Sequence, residues 1–191
     1  MGQSKEDIML NYVVRRFSRK FRRLSWSFLA INLFIGSMGN VMAAELPREA
    51  VLPVSLAVKA AQAGMEKCTA DGFRVSVAVV DRAGVLRALV REDGAGPHTV
   101  DSSRKKAYTA ASMKRPTQEL AELANKMPVI EGIRDMNDHI LILGGGLPIE
   151  LEGELVGGIG VGGAPGAHLD VACALAGLES IGAAPKVQKE K

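Results

Sequence analysis

Residues 73–93 read FRVSVAVVDRAGVLRALVRED, and this stretch decides the fold class. Val75, Val77 and Val79 alternate with other residues, which is the period of a β-strand that buries one face. The segment DRAG then supplies a tight turn into a second apolar stretch, so the sequence predicts a β-hairpin. The strands of a hairpin pair antiparallel, and the sheet built on this one is therefore expected to be antiparallel.

Helical patterns lie on both sides of the hairpin. Before it, residues 48–72 carry apolar side chains at helical spacing, which favours an amphipathic helix. After it, a segment rich in Gly and Pro leads to a predicted helix over residues 101–113, with Asp101 as the expected N-cap. A further helix is predicted over residues 117–127, followed by a short helical turn over residues 131–138.

A second pair of strands is predicted towards the C-terminus. HILILGGG at residues 139–146 and LVGGIGVGG at residues 155–163 flank a turn at residues 151–154, and a last helix covers residues 168–182. The predicted order is α-β-β-α-α-β-β-α. Because the strands fall into hairpins with helices around them, we expect an α+β fold in which helices pack on an antiparallel sheet, an α/β sandwich.

The first 44 residues differ from the rest in charge. They hold seven Lys or Arg and two Asp or Glu, and a basic stretch over residues 15–23 precedes an apolar one that ends near Ala43 and Ala44. This pattern is typical of a cleaved signal peptide rather than a permanent membrane anchor. We therefore expect a periplasmic or secreted protein with no stable membrane span after cleavage.

Residues 45–184 are expected to form one domain, followed by a disordered tail over residues 185–191. After the first 44 residues the chain holds 17 Lys or Arg against 19 Asp or Glu, so it lacks the basic excess that would neutralise phosphates. Phe73 and Tyr108 are its only aromatic residues, too few for a platform that stacks bases. Nucleic acid is therefore excluded as the expected partner.

Cys68 and Cys173 are the only cysteines. They fall on the first and last predicted helices of the domain, and in an oxidising compartment they can form a disulfide. The alternative is that both are buried small apolar side chains. The sequence holds neither CxxCH nor a CxxC zinc spacing, so covalent c-type haem attachment and a zinc site of that kind are excluded.

Glycine is concentrated at the second pair of strands, where nine glycines fall between Gly144 and Gly163. Glycine weakens a strand, so this density indicates either a helix packed closely on the backbone or a backbone that faces a ligand. Gly158, Gly160 and Gly163 have the spacing of a dinucleotide fingerprint. Only 28 residues follow, however, which is too few for the remaining βαβ unit of such a site.

Three segments together resemble the GlcG/HbpS family. They are VAVVDRAGVLRALVREDGAGP at residues 77–97, SSRKKAYTAAS at residues 102–112, and GGGLPIELEGELVGGIGVGGAPGAHLDVACA at residues 144–174. The resemblance covers residues 54–182 and extends to the C-terminal domain of PduO-type corrinoid adenosyltransferases. It implies a profilin-like sandwich and a homo-oligomer, from dimer to octamer.

The resemblance also implies a ligand, which is haem or a related tetrapyrrole held without a covalent bond. It leaves three functions open: sequestration, sensing or transport of haem; a haem-degrading or small-molecule-transforming enzyme with its site between subunits; and a structural accessory domain without haem. No Ser-His-Asp or Cys-His set stands at a local motif in the sequence. Whether the protein is an enzyme is therefore left open.

Histidines are the candidate axial ligands, because imidazole suits haem iron. His98 lies in the segment after the hairpin and His168 begins the last helix, while a plain loop histidine and a helix-cap histidine are the respective alternatives. His139 is expected to be packed or solvent-facing instead. Tyr108 is a further candidate, as an oxygen ligand, and a tyrosine in the helix core is its alternative. The residues expected to bind the cofactor are His98, His168, Arg91, Asp93, Arg104, Gly145, Gly146 and Gly163.

Positive groups near such a pocket would meet the haem propionates, which favours Arg91 and the run Arg104, Lys105 and Lys106. The alternative for this run is a solvated helix face. Iron is the second cofactor that the resemblance implies, because some members bind it through Glu/Asp-x-x-Glu pairs. Glu119 and Glu122 have that spacing and lie on one helix face, where an ordinary solvated acidic pair is the alternative.

Overall fold

The computed structural model describes residues 45–183, and its centre is a four-stranded sheet with the strand order β2-β1-β4-β3. All neighbouring strands pair antiparallel. The elements in chain order are α1 (Val54–Ala70), β1 (Ser76–Asp81), β2 (Leu86–Arg91), α2 (His98–Met113), α3 (Thr117–Lys126), a 3-10 helix (Pro128–Asp135), β3 (Gly146–Leu151), β4 (Glu154–Gly162) and α4 (Ala167–Ser180). The predicted α+β class is confirmed.

The predicted signal peptide at residues 1–44 and the predicted tail at residues 185–191 lie outside the described residues. Between residues 45 and 183, no helix is long and apolar enough to cross a membrane.

Helices cover both faces of the sheet. Val77 and Val79 of β1 lie in the larger core, which the sheet forms with α1 and α4. Ala78 and Val80 point to the opposite face and pack on α2. Successive residues of β1 therefore point to opposite faces of the sheet. Both faces are buried under helices, which is why both sets of residues are apolar.

The glycines of β4 allow α2 to lie directly on the strand. Gly158, Gly160 and Gly162 alternate along β4 and face this helix. A Cβ atom at Gly160 would lie 2.5 Å from the backbone nitrogen of Ala107, and one at Gly162 would lie 2.6 Å from Ser102 Oγ. Of the two interpretations of the glycine density, close helix packing is the one that these three positions support.

Gly160→Ala is expected to lower the free energy of unfolding by about 1–3 kcal/mol or more, because backbone atoms of α2 must move to admit the methyl group. Urea unfolding followed by circular dichroism measures the change. Gly132→Ala is the matched control, since nothing lies within 4 Å of its Cβ position. An equal loss in both variants would contradict the packing interpretation.

Cys68 of α1 and Cys173 of α4 form a disulfide, with their Cα atoms 5.5 Å apart. Both residues are fully buried in the larger core. The two helices are also close elsewhere, because a Cβ atom at Gly177 would lie 2.7 Å from the carbonyl oxygen of Ala60. Of the two alternatives that the sequence left for these cysteines, the structure has the bonded pair.

The prediction of a strand over residues 139–146 was wrong in position, since β3 begins only at Gly146. Ile140 and Ile142 instead pack with Leu120 of α3 in a small separate cluster. The backbone N–H of Leu141 donates to Thr109 Oγ1 at 2.8 Å rather than to a neighbouring strand. Apolar alternation at these residues thus reflects packing against helices.

The start of α2 also differs from its prediction. The helix begins at His98, before the expected Asp101 cap. The backbone N–H and the hydroxyl of Thr99 both donate to the carbonyl oxygen of Gly96, at 3.0 and 2.6 Å, which starts the helix earlier. Asp101 falls in the first turn, where its negative charge is favourable to the helix dipole.

Candidate functional site

An open groove of about 430 Å³ lies between α3, β3 and α4. We refer to it as the α3–α4 groove. Its lining residues are Pro116, Gln118, Glu119, Leu147, Ala167, His168, Val171 and Leu175. A volume of this size is within the range of roughly 300–1,000 Å³ that is usual for small-molecule sites.

The apolar floor of the groove comes from β3 and one face of α4. Val171 and Leu175 are one helical turn apart on α4, so both extend from the same face of that helix. With Leu147 of β3 they line the groove. Leu147 is buried, whereas His168 and Gln118 are exposed. The groove therefore combines an apolar interior with polar groups next to solvent.

Thr117 fixes α3 against the start of β3. Its Oγ1 accepts a hydrogen bond from the backbone N–H of Gly146 at 2.9 Å and donates to the carbonyl oxygen of Leu143 at 2.7 Å. These bonds hold the first turn of α3 next to β3, which places Gln118 and Glu119 on the groove. One hydroxyl therefore bonds two backbone groups of the segment that leads into β3.

A buried ion pair lies at the same end of the sheet. Lys106 of α2 donates from Nζ to Asp170 Oδ2 at 2.7 Å and to the carbonyl oxygen of Val161 at 2.9 Å. Their side chains are only 3% and 5% exposed. The other carboxylate oxygen, Asp170 Oδ1, accepts from the backbone N–H of Ala164 at 3.1 Å. The pair therefore ties the helices of the two faces together through the sheet edge.

Burial raises the pKa of the Asp170 carboxyl above its usual value, while the charge and hydrogen bond of Lys106 act in the opposite direction. Asp170 lies in the first turn of α4. The same turn carries His168, which lines the α3–α4 groove. The ion pair and the Ala164 bond consequently fix the position of the turn from which the imidazole extends.

The three glycines predicted to contact a cofactor lie in tight backbone packing. Gly145 has φ +115°, and a Cβ atom there would lie 3.0 Å from Lys106 Nζ. At Gly146 a Cβ atom would lie 2.5 Å from the carbonyl oxygen of Lys106, and at Gly163 it would lie 2.9 Å from the Cα of Val75. None of the three is among the residues that line the groove.

His98, Arg91 and Asp93 are exposed residues at or near the loop before α2. His98 is exposed at the first residue of α2. Arg91 Nε donates to the carbonyl oxygen of Ala95 at 3.1 Å, and the carbonyl oxygen of Asp93 accepts from Arg74 Nη1 at 2.6 Å. The two arginines therefore stabilise the loop before α2, and none of the three predicted residues lines the α3–α4 groove.

A smaller cavity of about 120 Å³ lies on the outer side of α2, and we refer to it as the Tyr108 cavity. It is lined by Gly84, Arg104, Lys105, Tyr108 and His139. The ring centroids of Tyr108 and His139 are 5.3 Å apart. Arg104 is thus separated from the other residues that were predicted to bind the cofactor.

Glu119 and Glu122 occupy different surroundings although both lie on α3. Glu119 lines the α3–α4 groove, whereas Glu122 is exposed and accepts a hydrogen bond from Gln118 Nε2 at 2.9 Å. Across residues 45–183, no group of three or more His, Cys, Asp or Glu side chains is placed to hold a metal ion. Iron binding by this pair stays a prediction.

Of the predicted site residues, the structure brings His168 and Glu119 to the same groove. Sequence reasoning missed Asp170, whose only signal was an acidic residue within an apolar helix. For Lys106 the sequence left propionate binding and a solvated helix face open, and the solvated face is wrong because the side chain is buried against Asp170. No sequence pattern indicated a role in the site for Thr117, Leu147, Val171 or Leu175.

The fold is that of a known class. Residues 52–179 match the family model described as haem degrading protein HbpS-like, and the chain belongs to this family. The resemblance to the GlcG/HbpS family is therefore confirmed. Protein GlcG of Escherichia coli strain K12 is 32% identical over 111 residues, which cover 58% of this chain and 81% of that protein.

Solved structures agree with this assignment. A double mutant of Streptomyces reticuli HbpS is 42% identical with a TM-score of 0.67, over 73% of this chain and 92% of the other. A structure described as a complex of PduOC with haem is 25% identical with a TM-score of 0.65, over 71% of this chain and 98% of the other. Similarity to the PduO domain is thus also confirmed.

Proposed function

We propose that the protein binds haem without a covalent bond in the α3–α4 groove, with His168 as an iron ligand. The observation that carries the proposal is an exposed imidazole at the edge of an otherwise largely apolar groove of about 430 Å³. The haem complex of the similar PduOC structure supports the choice of ligand. Imidazole is a common axial ligand of haem iron.

The residues that line the α3–α4 groove fit haem. Leu147, Val171 and Leu175 offer an apolar surface to the macrocycle, and His168 offers a nitrogen to the iron. No Lys or Arg is among the residues that line the groove, so the propionates would extend into solvent. When bound, haem would supply a redox-active iron centre, whose reactivity the surrounding polarity controls.

The proposed role is sequestration, sensing or transport in the periplasm or outside the cell. The buried Cys68–Cys173 disulfide supports this location, since such bonds persist in oxidising compartments. Self-association into a homo-oligomer belongs to the same proposal. Val51, Val54, Val85 and Leu86 are exposed apolar side chains that such an association would remove from water.

Haem degradation is the second candidate function, favoured by the description of the matching family model. The two functions differ in the fate of bound haem. A carrier keeps the Soret band intact when a reductant and oxygen, or peroxide, is added, whereas a degrading enzyme loses it and releases a product.

His168→Ala is expected to weaken haemin binding about tenfold or more, equivalent to about 1.4 kcal/mol, and to change the Soret band. Titration of the full chain with haemin, followed by absorption, measures both. His98→Ala and His139→Ala are the controls, since neither residue lines the groove. Wild-type affinity in His168→Ala would overturn the assigned ligand, and the absence of saturable binding to the wild-type chain would overturn haem binding itself.

A further inference from the structure

We propose that the Tyr108 cavity binds a phosphate-type oxyanion, separately from any ligand in the α3–α4 groove. The two cavities have no lining residue in common. The anion is either free phosphate or the phosphate group of a small monoester whose remainder lies in solvent. The proposal rests on the donors that meet in the cavity, on how they are held, and on its size.

All four side chains that line the cavity can donate hydrogen bonds. Arg104 and Lys105 bring two positive charges, and Tyr108 and His139 bring a phenol and an imidazole. Arg104 and Tyr108 are one helical turn apart on α2, so they extend from the same face of the helix. No acidic side chain lines the cavity. An arrangement in which every side chain can donate, and two of them are cationic, suits a multiply charged oxyanion.

The phenol is held by the turn between β1 and β2. Gly84 has φ +79°, and a Cβ atom there would lie 2.5 Å from Tyr108 Cε2, so the ring packs on bare backbone. Asp81 Oδ1 accepts hydrogen bonds from the backbone N–H groups of Ala83 and Val85, each at 3.0 Å, which fixes this turn. The position of the phenol is therefore set by a rigid element.

The imidazole is held by the segment before β3. The backbone N–H of His139 donates to Asn137 Oδ1 at 2.7 Å, and that of Leu141 donates to Thr109 Oγ1 at 2.8 Å on α2. The first bond is made by the backbone of His139 itself, and the second by a residue two positions further along the chain. They attach the segment to the helix that carries Tyr108, which brings the two rings together.

The donors are weakly used within the protein. Among residues 45–183, neither Tyr108 Oη nor the His139 ring has a hydrogen-bond partner. Asp101 is the counter-charge of both cations, at 3.6 Å from Arg104 and 3.3 Å from Lys105, and its side chain is 57% exposed. Exposed pairs of this kind are weak, so a dianion in the cavity can compete with Asp101 for both cations.

The size of the cavity selects the class of ligand. Its volume of about 120 Å³ is well below the roughly 300 Å³ at which pockets for organic ligands begin. A tetrahedral oxyanion fits, and a tetrapyrrole does not.

The test is calorimetric titration of the full chain with inorganic phosphate and with phenyl phosphate, against sodium chloride at equal ionic strength. We expect saturable binding of one phosphate per chain and none of chloride. Arg104→Gln and His139→Gln should each weaken binding about tenfold, as expected when one charge-assisted hydrogen bond is lost. Phosphate should also shift the amide resonance of Gly84.

Binding of phenyl phosphate would identify a monoester as an accepted source, and binding of phosphate alone would identify the free anion.

Lys59→Gln is the charge control, because Lys59 is exposed on α1 and lines neither cavity. An equal loss of affinity in this variant would show general charge attraction and overturn the proposal. Tyr108→Phe keeps the ring on Gly84 and removes only the hydroxyl, so it tests the cavity without disturbing the fold. Unchanged affinity in both Tyr108→Phe and His139→Gln would place the anion elsewhere and overturn the assignment.

Discussion

Replacing Cys68 and Cys173 together with alanine is expected to lower the free energy of unfolding by about 4–5 kcal/mol. The disulfide joins residues 105 positions apart, so its loss frees most of the domain in the unfolded chain. Total stabilities of about 5–15 kcal/mol are usual, and the variant should therefore unfold at a much lower urea concentration. Urea unfolding under oxidising conditions measures the difference.

The same disulfide provides a control within one protein. A reductant should destabilise the wild-type chain by a similar amount and leave the double alanine variant unchanged, because that variant has no thiol. If the double variant were as stable as the oxidised wild-type chain, the bond would contribute nothing to the fold.

Lys106→Met is expected to lower the free energy of unfolding by about 3–5 kcal/mol, because it leaves the buried Asp170 carboxylate without its cation. Asp170→Asn should be similarly damaging, since Lys106 Nζ would keep its charge and lose its counter-ion. Chemical unfolding of each variant measures the losses.

The double variant Lys106→Met/Asp170→Asn should lose less stability than the sum of the single variants, since removing both charges leaves neither one unpaired. Lys105→Met is the matched control on the neighbouring residue. Its ammonium pairs with exposed Asp101, so its removal should change stability by less than about 1 kcal/mol. Equal losses of stability in Lys105→Met and Lys106→Met would show that the buried pair contributes no more to stability than the exposed one.

Local sequence patterns predicted the elements of the fold because those elements form from near neighbours. The alternation of Val75, Val77 and Val79 and the turn after them gave the first hairpin in nearly its observed position. The prediction of a strand over residues 139–146 was wrong because Ile140 and Ile142 alternate in the same manner while packing on a helix. Alternation reports burial on one side, and it does not identify the partner.

The candidate site was predictable only in part, because its members are distant in sequence. His168 and Glu119 were selected singly by residue type and motif, and Thr117 holds the helix of Glu119 next to β3 through bonds that span 26 and 29 residues. The partner of Lys106 lies 64 residues away. Nothing in the local sequence around either residue of that pair indicates the other.

The contact between α2 and β4 limits how this domain can vary. Most cores consist of interlocking side chains, so a change at one position can be absorbed by a change at a neighbour. Where Gly158, Gly160 and Gly162 face α2, one side of the contact is bare backbone, and no smaller side chain exists to make room for a larger one. Random mutagenesis with selection for folding should therefore recover glycine at these positions, while Ala107 and Ala111 opposite them vary only among small side chains.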